Sequence, residues 1–410
     1  MTIMPKKKTS QKRKKIKSRN FEKKADKFLI IGGHMTPALA VADELIERGY
    51  ENILWVGHKK SQTGDKNTSA EYREVNRRGI KFQSLITGKF WRKWTLATID
   101  KALINLIKIP IGFIHAGFLL LTFRPRTIIS FGGYLSVPII LNWLPNRLNK
   151  TNIYIHSQTI KPDLSVKLTN RFAKKVFLTW SVSRNHYKHK NTKVVGTPLN
   201  KAILNPPTDE SERAFKNDLP ILLILGGNQG ANTFNRRLGL PILENYLKEM
   251  NMVHQTGSST ITKDYENALS NRKRLDDELK SRYKIFPYIL PENLNALYPQ
   301  TTLILSRSGA NTVQEIMFKG VPSVLMPIPW SQNNEQLENA KIAASTGLAK
   351  IFEFKEGLKE EKLLEEIKSA LDQTTKRESF KPGVSWSKAK KQAHSKIKLN
   401  SSKTIANEIL

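Results

Sequence analysis

No cysteine occurs among the 410 residues, which excludes disulfides and any metal centre built on thiolates. Acidic residues are scarce: 35 Asp and Glu stand against 68 Lys and Arg, a formal charge of +33. That imbalance predicts attraction to a polyanion (an anionic lipid surface, a nucleic acid or a phosphorylated substrate) and says nothing about fold. No RNA-binding motif or aromatic stacking pattern accompanies the lysines, so no specific nucleic-acid partner is expected. The N-terminus lacks the apolar core of a signal peptide. H-E-x-x-H, a Walker lysine motif and metal clusters are also missing; neither a metal nor a cofactor is expected. The most apolar segment runs from Ile99 to Phe123, but its uncharged part, Ile109–Phe123, contains Pro110 and His115. It is too short and interrupted for a good transmembrane span. It reads as a buried core helix, or as an amphipathic surface dipping into a bilayer with Lys89, Arg92, Lys93, Lys101 and Lys108 as headgroup partners.

What is present is a repeated syntax. Hydrophobic content of 39% supports a packed core, and the length suits two ordinary domains. Residues 1–27 form a Lys-rich arm that cannot bury a core and reads as disordered. Phe28–Ile31 is a buried-strand run, closed by Gly32-Gly33-His34, with a helix from Ala38 to Glu47 and the next strand at Ile53–Val56. The Gly turn is not a dinucleotide fingerprint, for it lacks G-x-G-x-x-G. Further strands are expected at Thr127–Ser130, before Gly132-Gly133-Tyr134, at Ile153–Ile155, Val176–Leu178 and Val194-Val195. Gly196-Thr197-Pro198 and the polar run Asn205–Asp218 mark a boundary, after which Ile221–Leu225 restarts the pattern. Strand–turn–helix repeats of this kind build doubly wound sheets, which bind ligands where their strands end.

The most informative stretch is 303–340. Leu303–Leu305 is a short strand, Ser306–Gly309 a small-residue turn, and a helix starts near Ala310 and stops at Gly320-Val321-Pro322. Free N–H groups at that helix start suit a diphosphate. Glu315, about one turn in, can accept hydrogen bonds from ribose hydroxyls. A polar loop then carries Gln332, Asn333, Asn334, Glu335, Gln336 and Asn339. The set reads as a nucleotide-diphosphate pocket; the plain alternative is an ordinary strand–turn–helix unit.

The blocks GGHMTPALA (32–40), FGGY (131–134), VVGTPLN (194–200), LGGNQGANTFN (225–235), HQTG (254–257) and SRSGANTVQEI (306–316) occur in one order. Together they resemble the bacterial peptidoglycan glycosyltransferases of the MurG family, which add N-acetylglucosamine to lipid I and so make lipid II. The likeness covers roughly residues 28–352, and the closing TIANEIL is similar to that family's last helix, which crosses back to the N-terminal domain. The resemblance implies an α/β chain of GT-B fold, two doubly wound Rossmann-like domains facing a cleft. It divides the chain into the arm 1–27, an acceptor and membrane-facing domain 28–199, a UDP-sugar domain 200–372, and a basic segment with the returning helix, 373–410. It also implies an inverting, metal-independent enzyme, peripheral on the cytoplasmic face of an anionic membrane, with UDP-N-acetylglucosamine and undecaprenyl-diphosphate-linked lipid I as partners.

Position by position, Ala310, Asn311, Thr312, Val313, Gln314 and Glu315 would hold the uridine diphosphate, with Glu315 on the ribose. Asn228, Gln229 and Gly230 would lie near the phosphates, Asn228 standing where the family usually has serine. Ile289 would meet the uracil through its backbone, and Glu335 and Gln336 the donor sugar. On the acceptor side stand Gly32, Gly33, Gly132, Gly133, Tyr134 and Thr159, with His34 as the catalytic imidazole, either base or phosphate ligand. The first loop is shorter than the family's, Thr159 replaces an Asn, and Asn200 stands where many members have Arg. A UDP-sugar epimerase, a transferase to another lipid acceptor, and a basic lipid- or nucleic-acid-binding protein are the rival readings.

Overall fold

The computed structural model describes residues 25–60, 67–88, 99–188, 191–206, 213–226, 232–236, 240–353 and 360–410. The arm as far as residue 24, Lys89, Arg92, Lys93 and the turn residues Asn228, Gln229 and Gly230 lie outside the described residues.

Two parallel sheets organise the chain. The first joins β1 (Phe28–Ile31), β2 (Ile53–Gly57), β3 (Lys81–Ser84), β4 (Thr127–Ser130), β5 (Asn152–Ser157), β6 (Lys175–Leu178) and β7 (Thr192–Val194) in the order β3-β2-β1-β4-β5-β6-β7. The second joins β8 (Ile221–Leu225), β9 (Asn251–Gln255), β10 (Tyr283–Phe286), β11 (Leu303–Ser306), β12 (Ser323–Leu325) and β13 (Ala349–Ile351) in the order β10-β9-β8-β11-β12-β13. The central strands are buried on both faces, which is why they read as unbroken apolar runs rather than alternating ones. In each sheet the order reverses between the first strand and the fourth, β1 beside β4 and β8 beside β11. A crevice opens where strand order reverses, and there the flanking turns of both halves converge.

Two edge strands, β3 and β13, escape the sequence reading. Lys81–Ser84 is half exposed and carries polar residues, so it shows no apolar run. The helix after β1 is α1 (Met35–Glu47), and α2 (Ala70–Arg77) precedes β3 with Ser69 as a capping residue that accepts from the Tyr72 N–H.

The apolar segment is a single helix, α3 (Ile99–Phe123), which continues through Pro110. The core-helix reading is corrected by its exposure. Buried Gly112, Ala116 and Leu120, one turn apart, seat it on the first sheet's core. The other faces carry Ile107, Ile114 and Phe118 at 65%, 75% and 70% exposure. Leu103–Phe123 is long and apolar enough to cross a membrane by length and composition, so the judgement that the segment is too short and broken is also corrected. A proline inside a helix loses a hydrogen bond and crowds the preceding turn, at a cost of about 3 kcal/mol, and the helix nevertheless runs on through Pro110.

The weakly patterned basic segment also holds a helix, Trp386–Ser395, capped by Ser385, which accepts from the Lys388 N–H. Its buried faces are alanines, Ala389 and Ala393, too small to mark a periodicity. The last helix, Ser401–Ile409, inserts Ile405, Ala406 and Ile409 into the first sheet's core beside α1. Glu408 there pairs with both Lys175 and Lys193.

Candidate functional site

A cavity of about 220 Å³ lies between the two sheets at their strand ends. From the first half it is lined by His34, Gln158 and Thr159; from the second by Asn200, Ile289, Ala310, Asn311, Thr312, Glu315 and Glu335. His34 follows β1 after Gly32-Gly33 and stands at the N-cap position of α1, where its side chain makes no capping hydrogen bond and its own N–H donates to the Phe131 carbonyl at 3.1 Å. Burial holds its pKa below the ordinary imidazole value, opposed by the negative charge of Asp163. A neutral imidazole facing a cleft is able to take a proton at physiological pH.

The expected glycines divide into two groups. Gly132 and Gly133 have φ of 81° and 82°, where a side chain would be strained, and Gly133 with Tyr134 lines a second cavity beside the cleft. Gly32 and Gly33 serve packing instead. A β-carbon on Gly33 would lie 2.0 Å from the Gly132 carbonyl oxygen, and one on Gly32 would strike Glu71 and Trp55. The short first loop is thus held against its neighbour turn, backbone to backbone.

Glu71 and Asp163 are residues that sequence reasoning missed. Glu71 accepts from Trp55 Nε1–H at 2.8 Å and from the His58 N–H at 3.0 Å, and burial pushes its carboxyl up to about 7. The His58 ring stacks on Tyr134 with centroids 5.3 Å apart, so α2, through Glu71, braces the turn Gly132-Gly133-Tyr134. Asp163 caps the helix Leu164–Thr169, accepting from the Val166 N–H at 2.8 Å and the Ser165 hydroxyl at 2.6 Å. Nothing in a lone Asp on a loop signals that role before the strands are placed.

On the opposite wall, helix Ala310–Lys319 begins at Gly309 with no side-chain cap, leaving its first-turn N–H groups available to an anion. Glu315 faces the cleft one turn in; Tyr298 donates to its Oε2 at 2.9 Å, and burial pushes its carboxyl up to about 7. Lys319 lies near enough to oppose that rise. Val313 does not reach the cleft: it packs in the core beneath β11. Gln314 is also buried away from it, and its Oε1 has no protein partner. Ile289 lines the cleft, but its N–H already donates to Gln255 Oε1 at 2.9 Å, so only its carbonyl is left for a base.

The polar loop closes the site with two consecutive left-handed residues, Asn333 and Asn334, ahead of helix Glu335–Ala344. Backbone held in that region is stored strain of about 1–3 kcal/mol per residue, sustained by its surroundings. Glu335 is carried into the cleft, where burial and then the charge of Asp163 push its carboxyl up to about 7. Gln336 turns back instead, accepting from the Ile328 N–H at 3.2 Å. Asn311 is tied across the cleft: Gln158 Nε2–H donates to its Oδ1 at 2.7 Å.

Two facing doubly wound sheets, with an uncapped helix start opposite an imidazole, make a GT-B architecture whose cleft suits a nucleotide sugar. Residues 31–178 match the glycosyltransferase family 28 N-terminal domain, and residues 221–397 its C-terminal domain. The chain belongs to glycosyltransferase family 28. It is 30% identical over 348 residues to the UDP-N-acetylglucosamine–N-acetylmuramyl-(pentapeptide) pyrophosphoryl-undecaprenol N-acetylglucosamine transferase of Halothermothrix orenii, covering 82% of this chain and 87% of that one. The transferase of the same name from Thermoanaerobacter sp. strain X514 is 30% identical over 345 residues, with 83% and 88% covered. Among solved structures, MurG of Acinetobacter baumannii superimposes with a TM-score of 0.62 at 25% identity over 93% of this chain and 99% of that one. Os79 from O. sativa, solved with UDP, gives 0.60 at 14% identity over 93% and 99%, a likeness of fold alone.

Proposed function

We propose that the chain transfers N-acetylglucosamine from UDP-N-acetylglucosamine to the N-acetylmuramyl-pentapeptide of undecaprenyl-diphosphate-linked lipid I, forming lipid II. The observation that carries this reading is the placing of His34 opposite Glu335 and the uncapped turn at Ala310 in a chain of this family. The donor diphosphate lies on the first-turn N–H groups of Ala310–Lys319, the ribose hydroxyls donate to Glu315, the uracil meets the Ile289 carbonyl, and Glu335 holds the sugar. The acceptor hydroxyl attacks the anomeric carbon from the face opposite the diphosphate. The new C–O bond forms as the bond to the β-phosphate oxygen breaks, inverting configuration, and the proton leaves to His34. Charge growing on the departing diphosphate is met by fixed N–H dipoles that need no reorganisation. In this reading residues 28–199 serve the acceptor, 200–372 the donor, and 373–410 tie the second half back to the first.

The acceptor's long prenyl chain requires a lipid surface. The exposed apolar faces of α3, with Lys108 on its surface, and the excess of cations suit peripheral docking on the anionic cytoplasmic face of a membrane. The deciding experiment mixes purified protein with UDP-N-acetylglucosamine and lipid I and follows UDP release and lipid II together. Conversion of UDP-N-acetylglucosamine without acceptor would instead mark an epimerase; no reaction with lipid I would overturn the reading.

A further inference from the structure

We propose that the cavity between α3 and the helices Ser136–Ile140 and Leu164–Thr169 holds the first isoprene units of the acceptor's lipid chain. This rests on the lipid-linked acceptor of the preceding section. The cavity measures about 860 Å³, within the ~300–1,000 Å³ of clefts that enclose a small organic ligand, so it takes the start of a prenyl chain and not its whole length. Its walls are Ile109 and Phe113 of α3, Val137 and Pro138, and Leu164 and Leu168. Its walls among the described residues are mostly apolar, which suits hydrocarbon. Asp163 is its single carboxylate among those residues, and one of its oxygens is already engaged by the Val166 N–H and the Ser165 hydroxyl.

Position fixes the occupant. One end of the cavity is the turn Gly133-Tyr134 and Asp163. A β-carbon on Gly132 would lie 3.7 Å from Asp163 Oδ2 and 3.7 Å from His34 Nε2, so this end opens beside the imidazole of the catalytic cleft. The other wall is α3, whose outward residues Ile107, Ile111 and Ile114 continue the apolar surface into solvent. A molecule polar at one end and an extended hydrocarbon beyond it would keep its sugar diphosphate on the cleft side of the glycine turn, outside this cavity, and lay its chain along the channel. Leu164 and Leu168, at 40% and 43% exposure, would lose that exposure on binding.

The test uses soluble acceptors bearing the muramyl-pentapeptide diphosphate on a methyl, geranyl or farnesyl group, below their aggregation limits and without vesicles or detergent. Wild-type KM should fall at least ~10-fold from methyl to farnesyl, since each buried methylene contributes to binding. Leu168→Trp, which fills the cavity, and Leu164→Gln, which makes its wall polar, should each flatten that dependence while kcat/KM for the methyl acceptor stays within about twofold of wild type. A chain-length dependence as steep in both variants as in wild type overturns the channel, as does a wild-type KM that does not change with chain length. Failure of wild type to glycosylate any of the three acceptors, with donor bound, would instead overturn the acceptor assignment of the preceding section. The farnesyl and methyl arms are compared within each protein, so partial unfolding of a variant lowers both and leaves their ratio readable.

Discussion

Gln158 and Asn311, 153 positions apart, share a 2.7 Å hydrogen bond that joins the two halves of the molecule across the cleft. Gln158 follows β5, and Asn311 stands in the first turn of the helix proposed to hold the diphosphate. A donor hydroxyl that bonds the Asn311 Oδ1 must first displace Gln158. Breaking a neutral hydrogen bond of this kind costs about 0.5–1.5 kcal/mol. Gln158→Ala should therefore lower the donor Kd, by about two- to tenfold, in a calorimetric titration with UDP-N-acetylglucosamine. A Kd that rises would place Gln158 on the ligand and not in competition with it.

In its proposed place on the ribose, Glu315 would make donor binding depend on pH. With its carboxyl pushed up to about 7 by burial, it is largely protonated below that pH, with one carbonyl oxygen to accept, and offers two charged acceptor oxygens only above it. Donor affinity should increase as pH passes upward through 7, and Glu315→Ala should weaken binding by about 1–3 kcal/mol at pH 8. The sign for stability is opposite. A carboxyl whose folded pKa exceeds its unfolded value of 4.5 stabilises the fold at low pH, and that contribution is lost as pH rises through about 7. Donor-free Glu315→Gln, which keeps an acceptor for Tyr298 and no charge, should match wild type near pH 5 and melt higher at pH 8. Equal melting temperatures at both values would show that burial of the charge is not costly here.

Vesicle binding should separate the two contributions to membrane attachment. Ile114→Asp and Phe118→Asp change residues at 75% and 70% exposure, so the fold should tolerate them. They should reduce sedimentation with anionic vesicles while donor affinity is unchanged. Raising salt should release the protein, and deletion of residues 1–27 should weaken binding to anionic vesicles only. Equal attachment to neutral and anionic vesicles would remove the electrostatic part of the argument.

Legibility in the sequence followed burial. Strands such as Phe28–Ile31, Thr127–Ser130 and Ile221–Leu225 are covered on both faces, so their whole composition reports the fold and their bounds were readable. Edge strand β3 has one wet face and left no such mark. Helix α3 misled because composition measures apolarity and not where it faces: the same residues would serve a core or a lipid surface. In the site, backbone turns at strand ends were legible, since Gly132, Gly133 and Gly309 punctuate the chain. Contacts that link distant segments were not: Asp163 near His34, Glu71 beneath Gly32 and Gln158 on Asn311 exist only once the strand order is set. The resemblance takes in the whole block 310–315, and two of its six side chains, Val313 and Gln314, are turned to the core because the helix must pack one face.

His34 is the most decisive position. It faces the cleft from the acceptor side, with a pKa held below the ordinary imidazole value by burial, so the ring is neutral at pH 7 and able to accept a proton. If it is the base, His34→Ala should lower kcat by ~10²-fold or more while donor affinity barely moves, because the donor lies on the opposite wall. The acid limb of the wild-type rate profile should fall below pH 6.5, since protonation of a depressed imidazole removes the base only there. His34→Asn distinguishes the two roles open to the ring, since an amide still donates to a phosphate and cannot take the proton. Substantial rescue by Asn, with the acid limb lost, would make His34 a phosphate ligand. Equal loss in Ala and Asn, in protein that still binds donor, keeps it as the base. Near-normal turnover of His34→Ala with lipid I would remove the imidazole from the chemistry and leave Glu335, whose carboxyl at about 7 faces the same cleft, as the next group to test.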